Sequence, residues 1–174
     1  MKNLITKVSY IVILSLFISL TASAQAKKKA DKDTENWRYE IECVSTGAAG
    51  TYLIKVWSYS KKPNVAMEQA KKNAVHGVIF KGFSGAGAGC TQKPLTNDPS
   101  VEEEKGDFFK EFFDDGGKYM KFVNVSNDGA VAAGDVLKIG KEYKVGVVVS
   151  VLKDNLRKDL EAAGIIKGLD GGLF

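Results

Sequence analysis

The chain has 174 residues, 44% of them hydrophobic and 26% charged, and a formal net charge of +4. One histidine and two cysteines, with neither a CxxC nor an HxxxH spacing, exclude a zinc ligand set built from those residues. The lysines are interspersed with acids, so the charge balance gives no warrant for nucleic-acid binding.

Lys2 and Lys7 open the chain, Val8 to Leu20 is apolar apart from Ser and Tyr, and Ala22-Ser23-Ala24 follows. Basic start, short apolar helix and small-residue site are the three parts of a secretory signal peptide. The apolar core is about 13 residues, against the roughly 20 needed to span a bilayer. Cleavage is expected after Ala24, with Ala26 the second choice. No Cys lies near either site, which argues against a lipid anchor. Cleavage leaves 150 residues and, by removing two lysines, a charge of +2. One domain follows from that length, long enough to bury roughly 70% of its unfolded surface. No transmembrane segment is expected after cleavage. The expected location is the periplasm or cell surface of a bacterium.

Residues 25–36 are polar and aperiodic, a flexible charged leader in which Lys27-Lys28-Lys29 reads as a solvated tether. The domain is expected over 37–174. Trp37, Tyr39, Ile41 and Cys43 alternate with charged residues, the period of a half-buried strand. A turn over Ser45–Gly50 leads into a second strand, Tyr52–Ser60, completing a hairpin. Pro63 and Asn64 then open a helix over Val65–Phe80, with Asn64 as N-cap. Its Ala66, Ala70 and Ala74, four residues apart, let the backbone approach a sheet closely.

Lys81–Ser100 shows no regular period, and a loop that long is generally functional or mobile. Helical spacing resumes over Val101–Phe113, capped by Ser100 and ended by Gly116-Gly117. Tyr119–Val125 reads as a strand. Gly134–Leu152 holds another, with Tyr143, Val145, Val147, Val149 and Val151 on one side. Asp154 is the expected cap of a closing helix carrying Leu156, Leu160 and Ala163. The order is β-β-α-α-β-β-α, an α+β fold with a mainly antiparallel four-stranded sheet and helices on one face.

Reactive groups are few. His76 is a lone histidine on the sheet-covering helix, for which a structural role is the ordinary reading. Cys43 and Cys90, in an exported chain, are expected to form a disulfide that ties the long loop to the hairpin. The alternative is a small-ligand site or thiol enzyme using Cys90 and His76 near the Gly85–Gly89 loop. Gly85, Gly87 and Gly89 lack the Gly-Lys-Ser/Thr ending of a phosphate loop. They read as a partner-binding or ligand-covering loop. Asp114-Asp115-Gly116-Gly117 and Asn127-Asp128-Gly129 lack the alternating acidic series of a calcium loop and read as turns. Phe108, Phe109, Phe112 and Phe113 span more of a helix than a narrow seam needs. They either pack in the core or form a partner-binding surface. On the second reading, replacing Phe109 and Phe113 with Ser abolishes partner capture without loss of stability.

From Val56-Trp57-Ser58-Tyr59 through Ala66, Ala70 and Ala74 to Gly82, the chain resembles small α+β domains of outer-membrane-associated lipoproteins and flagellar accessory proteins. The likeness covers residues 37–82 and implies a non-catalytic envelope role. The Gly-rich loop and Phe-rich helix depart from it, as does the missing lipid-anchor cysteine. Together these readings describe an exported, non-enzymatic protein without cofactor or metal. Its expected partner is another envelope protein, and homo-oligomerisation is open to it.

Overall fold

The computed structural model describes residues 37–86, 89–126 and 130–168. The expected signal peptide and leader, Gly87 and the expected turn Asn127-Asp128-Gly129 lie outside the described residues, as do residues 169–174. The elements are β1 (Tyr39–Ser45), β2 (Tyr52–Ser60), α1 (Pro63–His76) continued by a π-turn (Gly77–Lys81), α2 (Val101–Glu104) and α3 (Gly106–Phe112). A 3-10 turn (Lys118–Phe122) leads into β3 (Val123–Val125). A second (Ala133–Asp135) leads into β4 (Val136–Ile139), then β5 (Glu142–Val151) and α4 (Lys153–Ala162).

The fold is α+β, with an open antiparallel sheet ordered β1-β2-β5-β3 and β4 also paired to β5. Since β2 occupies one side of β5, β3 and β4 share the other, one at each end (Val123↔Val151 and Ile139↔Glu142). The register Val56↔Val147 and Ile54↔Val149 puts the alternating apolar residues of the two long strands side by side. Ala66, Ala70 and Ala74 of α1 lie fully buried on that stripe. Their small side chains allow the close approach that the four-residue spacing predicts. Within the seam, Asn73 donates to the Ser58 hydroxyl at 2.8 Å, so the two buried polar groups satisfy each other in part.

The opposite face carries charge. Lys144 pairs with Glu40 at 2.7 Å, Lys55 with Asp135 at 2.9 Å, and Arg38 with Glu142. Trp57 on this face lies flat over Gly146 of the neighbouring strand. A Cβ there would sit 2.8 Å from the indole.

Several expectations change. The sheet has five strands rather than four, because Gly134–Leu152 folds into a hairpin. Gly140 takes the left-handed conformation (φ +59) that a tight turn needs. Most of the expected strand Tyr119–Val125 is a 3-10 turn, which buries Tyr119 and Phe122 while Met120 stays exposed. The expected helix 101–113 breaks at Lys105 (φ −108, ψ 30), before Gly106, the weakest helix former after proline. The caps also move. Lys62 caps α1 with Pro63 just inside, and Leu152 rather than Asp154 caps α4. Ser100 stands at the N-cap position of α2, but its hydroxyl bonds Asp98 and Glu104.

Candidate functional site at the edge of the sheet

The site grows from Gly77. A Cβ there would lie 2.1 Å from Ile41 Cδ1 and 3.3 Å from the Tyr39 ring, so the end of α1 presses directly on β1. The helix widens into its π-turn at this contact, and Gly82 ends it in a left-handed conformation (φ +66). Helix ends leave carbonyls without partners. Here the chain returns to supply two of them: Leu95 N–H donates to Val78 O and Thr96 N–H to Ile79 O, both at 3.0 Å. Between these anchors Phe83 and Gln92 exchange backbone hydrogen bonds at 3.0 and 2.8 Å. The long segment is therefore a short finger held at its base.

A side-chain link holds the finger against β1. The sulfurs of Cys43 and Cys90 lie at disulfide distance, with Cα atoms 5.4 Å apart. Gly85 packs on Cys43, where a Cβ would come within 3.0 Å of its Cβ. Gly89, at φ +77, lies against Thr46. Tyr52 donates to Gln92 Oε1 at 2.7 Å, and Gln92 Nε2 donates to Gly89 O at 2.7 Å.

His76 sits behind this edge and is 2% exposed. Its Nε2 lies 2.9 Å from Glu102 Oε1 and its Nδ1 2.5 Å from Tyr39 Oη. Trp37 stacks on the imidazole at 3.6 Å, and Phe80 and Phe113 complete the surround. Burial holds the His76 pKa below its ordinary 6.5 despite the opposing pull of Glu102. The neutral ring then donates from Nε2 to the carboxylate and accepts at Nδ1 from the Tyr39 hydroxyl. Burial, then the Glu102 charge, raises the Tyr39 pKa far above that of an ordinary phenol, so this hydroxyl keeps its proton. The hydrogen bond from His76 holds Glu102 below its usual range.

Both imidazole nitrogens are engaged within the protein. The structure does not join Cys90 to His76: the sulfur meets Cys43, and the ring nitrogens meet Tyr39 and Glu102. Among the described residues no group of three or more His, Cys, Asp or Glu is placed to hold a metal ion. None of their helices is long and apolar enough to cross a membrane.

An open groove of about 500 Å³ runs between β1 and the finger, lined by Tyr39, Ile41, Lys81, Phe83, Gln92 and Lys93 among others. Lys81 lies 3.9 Å from the centre of the Tyr39 ring and donates to Trp37 O at 3.2 Å. The Phe-rich helix is elsewhere. Phe109, Phe112 and Phe113 are 4%, 2% and 8% exposed, with Phe108 half-buried and stacked on Phe112 at its rim. Three of the four rings fill the core, and a partner approaching this helix meets Phe108 alone of the four.

Sequence reasoning missed Tyr39, Glu102, Trp37 and Lys81 as companions of the edge and of His76. Tyr39 was visible as an inward strand residue and Glu102 as a charge in the first turn of a helix. Nothing local tied either to a histidine 37 and 26 residues away. Comparison with family models, with curated proteins and with solved structures finds no significant match to this chain.

Proposed function

We propose that the chain is an exported, non-enzymatic binding protein of the bacterial cell envelope. In this reading it engages a protein partner on the side where the finger meets β1. One observation carries it: the Cys43–Cys90 contact pins a glycine-bearing loop beside an edge strand and an open groove. A finger tethered by the Cys43–Cys90 contact and by backbone bonds at its base suits recognition, because less ordering of those anchored residues remains to be done on binding. The cluster behind the edge supports a scaffold role, since its hydrogen-bonding groups are spent on one another.

Site-directed photocross-linking in the native envelope tests this reading. A photoreactive residue in place of exposed Thr91, beside the groove, is expected to give a discrete protein adduct. The same residue in place of exposed Lys158 on α4 is expected to give none. Equal labelling from both positions, or no adduct from Thr91, sinks the proposal.

A further inference from the structure

We infer that the groove takes an acidic polypeptide segment in extended conformation, added as a new strand along the free edge of β1. The inference rests on the binding reading above and names its partner's chemistry. β1 pairs on one side with β2 and stands at the end of the sheet. Its register runs unbroken from Tyr39 to Cys43 and shifts between Cys43 and Ser45. Among the described residues, no backbone hydrogen bond outside the β1–β2 ladder reaches Tyr39–Ser45. Proteins commonly block such an edge with proline, lysine or a bulge. β1 contains neither Pro nor Lys, and its irregularity comes only at the far end. The finger meets it at that same end, where Gly85 packs on Cys43, while Glu40 and Glu42 stay exposed.

Strand addition draws affinity from main-chain hydrogen bonds and selectivity from alternate side chains. Tyr39 and Ile41 face the groove, so every second side chain of an added strand would face it as well. Its lining includes two lysines, Lys81 and Lys93, and no carboxylate. Lys81 is partly committed to Trp37 and Tyr39 and lies in the field of Glu102. The cation left to a ligand is therefore chiefly Lys93, which is exposed and projects from the finger. Aspartate or glutamate at alternate positions is the complement of that lining. The finger supplies the far wall, and the Cys43–Cys90 contact sets its distance from β1.

The test is selection of a displayed random heptapeptide library on the folded domain with its cysteines oxidised, with counter-selection on Lys93→Glu. Lys93 is exposed, so this variant is expected to keep the wild-type melting temperature. The expected result is a selected pool rich in Asp and Glu at alternate positions. Its peptides should bind wild type about tenfold more tightly than Lys93→Glu. Methylating alternate backbone nitrogens of the best peptide should abolish binding, because a methylated nitrogen cannot join a ladder. A pool without acidic alternation, an empty pool, or affinity unchanged by N-methylation overturns the inference. Displacement of the peptide by inorganic polyphosphate together with insensitivity to N-methylation would mark a general anion surface instead. A Thr91 adduct in the envelope together with a selected pool that lacks acidic alternation would leave the broader reading standing and remove this one.

Discussion

The indole of Trp37 stacks on the imidazole of His76, with ring centres 3.6 Å apart and planes inclined by 20°. This contact joins the start of β1 to the end of α1, two elements otherwise linked through Gly77 and the Tyr39 hydroxyl. It closes a box in which Trp37, Phe80 and Phe113 shield a histidine bonded to Tyr39 and Glu102. Four consequences of this architecture can be measured.

The first concerns pH. Burial depresses the His76 pKa, so below about 6.5 the unfolded chain binds a proton that the folded chain resists. Stability is therefore full above the unfolded value and falls as the pH drops below it, with a slope of up to ~1.4 kcal/mol per pH unit. Glu102 acts lower: its depressed pKa gives stability present above its ordinary 4.5 and lost as pH falls through the folded value. Urea midpoints between pH 5 and 7.5 are expected to slope in wild type and to flatten in His76→Gln. Since the chain has one histidine, parallel slopes in the two proteins would refute this assignment.

Gly77→Ala is expected to lose ~1–3 kcal/mol despite the better helix propensity of alanine, because the new methyl meets Ile41 Cδ1. Ile41→Val removes that atom. In the Ile41→Val background the cost of Gly77→Ala should fall by ~0.5–1.5 kcal/mol, read from a double-mutant cycle by denaturant unfolding. Additive single effects would show that the contact at Gly77 does not limit the approach of α1 to β1.

Phe109→Ala and Phe113→Ala are each expected to cost ~3–5 kcal/mol, since these rings are 4% and 8% exposed and pack against one another. This reverses the expectation that Phe109 and Phe113 could be exchanged for serine without loss of stability. Calorimetry decides it. A melting temperature within a degree or two of wild type would return these rings to the surface.

Cys43 and Cys90 are 47 residues apart, and closing a loop of that size stabilises by about 4 kcal/mol in the chain-entropy model. Replacing both with alanine is expected to lower stability by ~2–4 kcal/mol. It should also release the Gly85–Cys90 segment, read as faster amide exchange around Gln92. A double variant as stable as wild type, with unchanged exchange, would show that the hydrogen bonds at the finger's base suffice.

Much of this was legible locally. The aromatic and β-branched residues of Tyr52–Ser60 announce β2, and the alternating valines of Tyr143–Val151 announce β5, since a strand with one buried face alternates. The alanines of α1 announce a helix laid close to a sheet, and two cysteines in a chain with a signal-peptide pattern announce a pair. The phenylalanines were ambiguous, because a ring buried under a neighbouring helix and one buried under a partner leave the same spacing. The hairpin at Gly140 was hidden inside an otherwise continuous strand pattern.

By itself, the sequence determined the α+β class, the first hairpin and the covering helix. These are short-range properties, written in periodicity and composition. Tertiary structure decided that β5 lies inside the sheet, that the phenylalanines turn inward, and that Tyr39, His76 and Glu102 meet. Such contacts join segments tens of residues apart. They depend on which faces are buried together, and that is settled when α1 packs on β2 and β5 and carries His76 beneath the edge of β1.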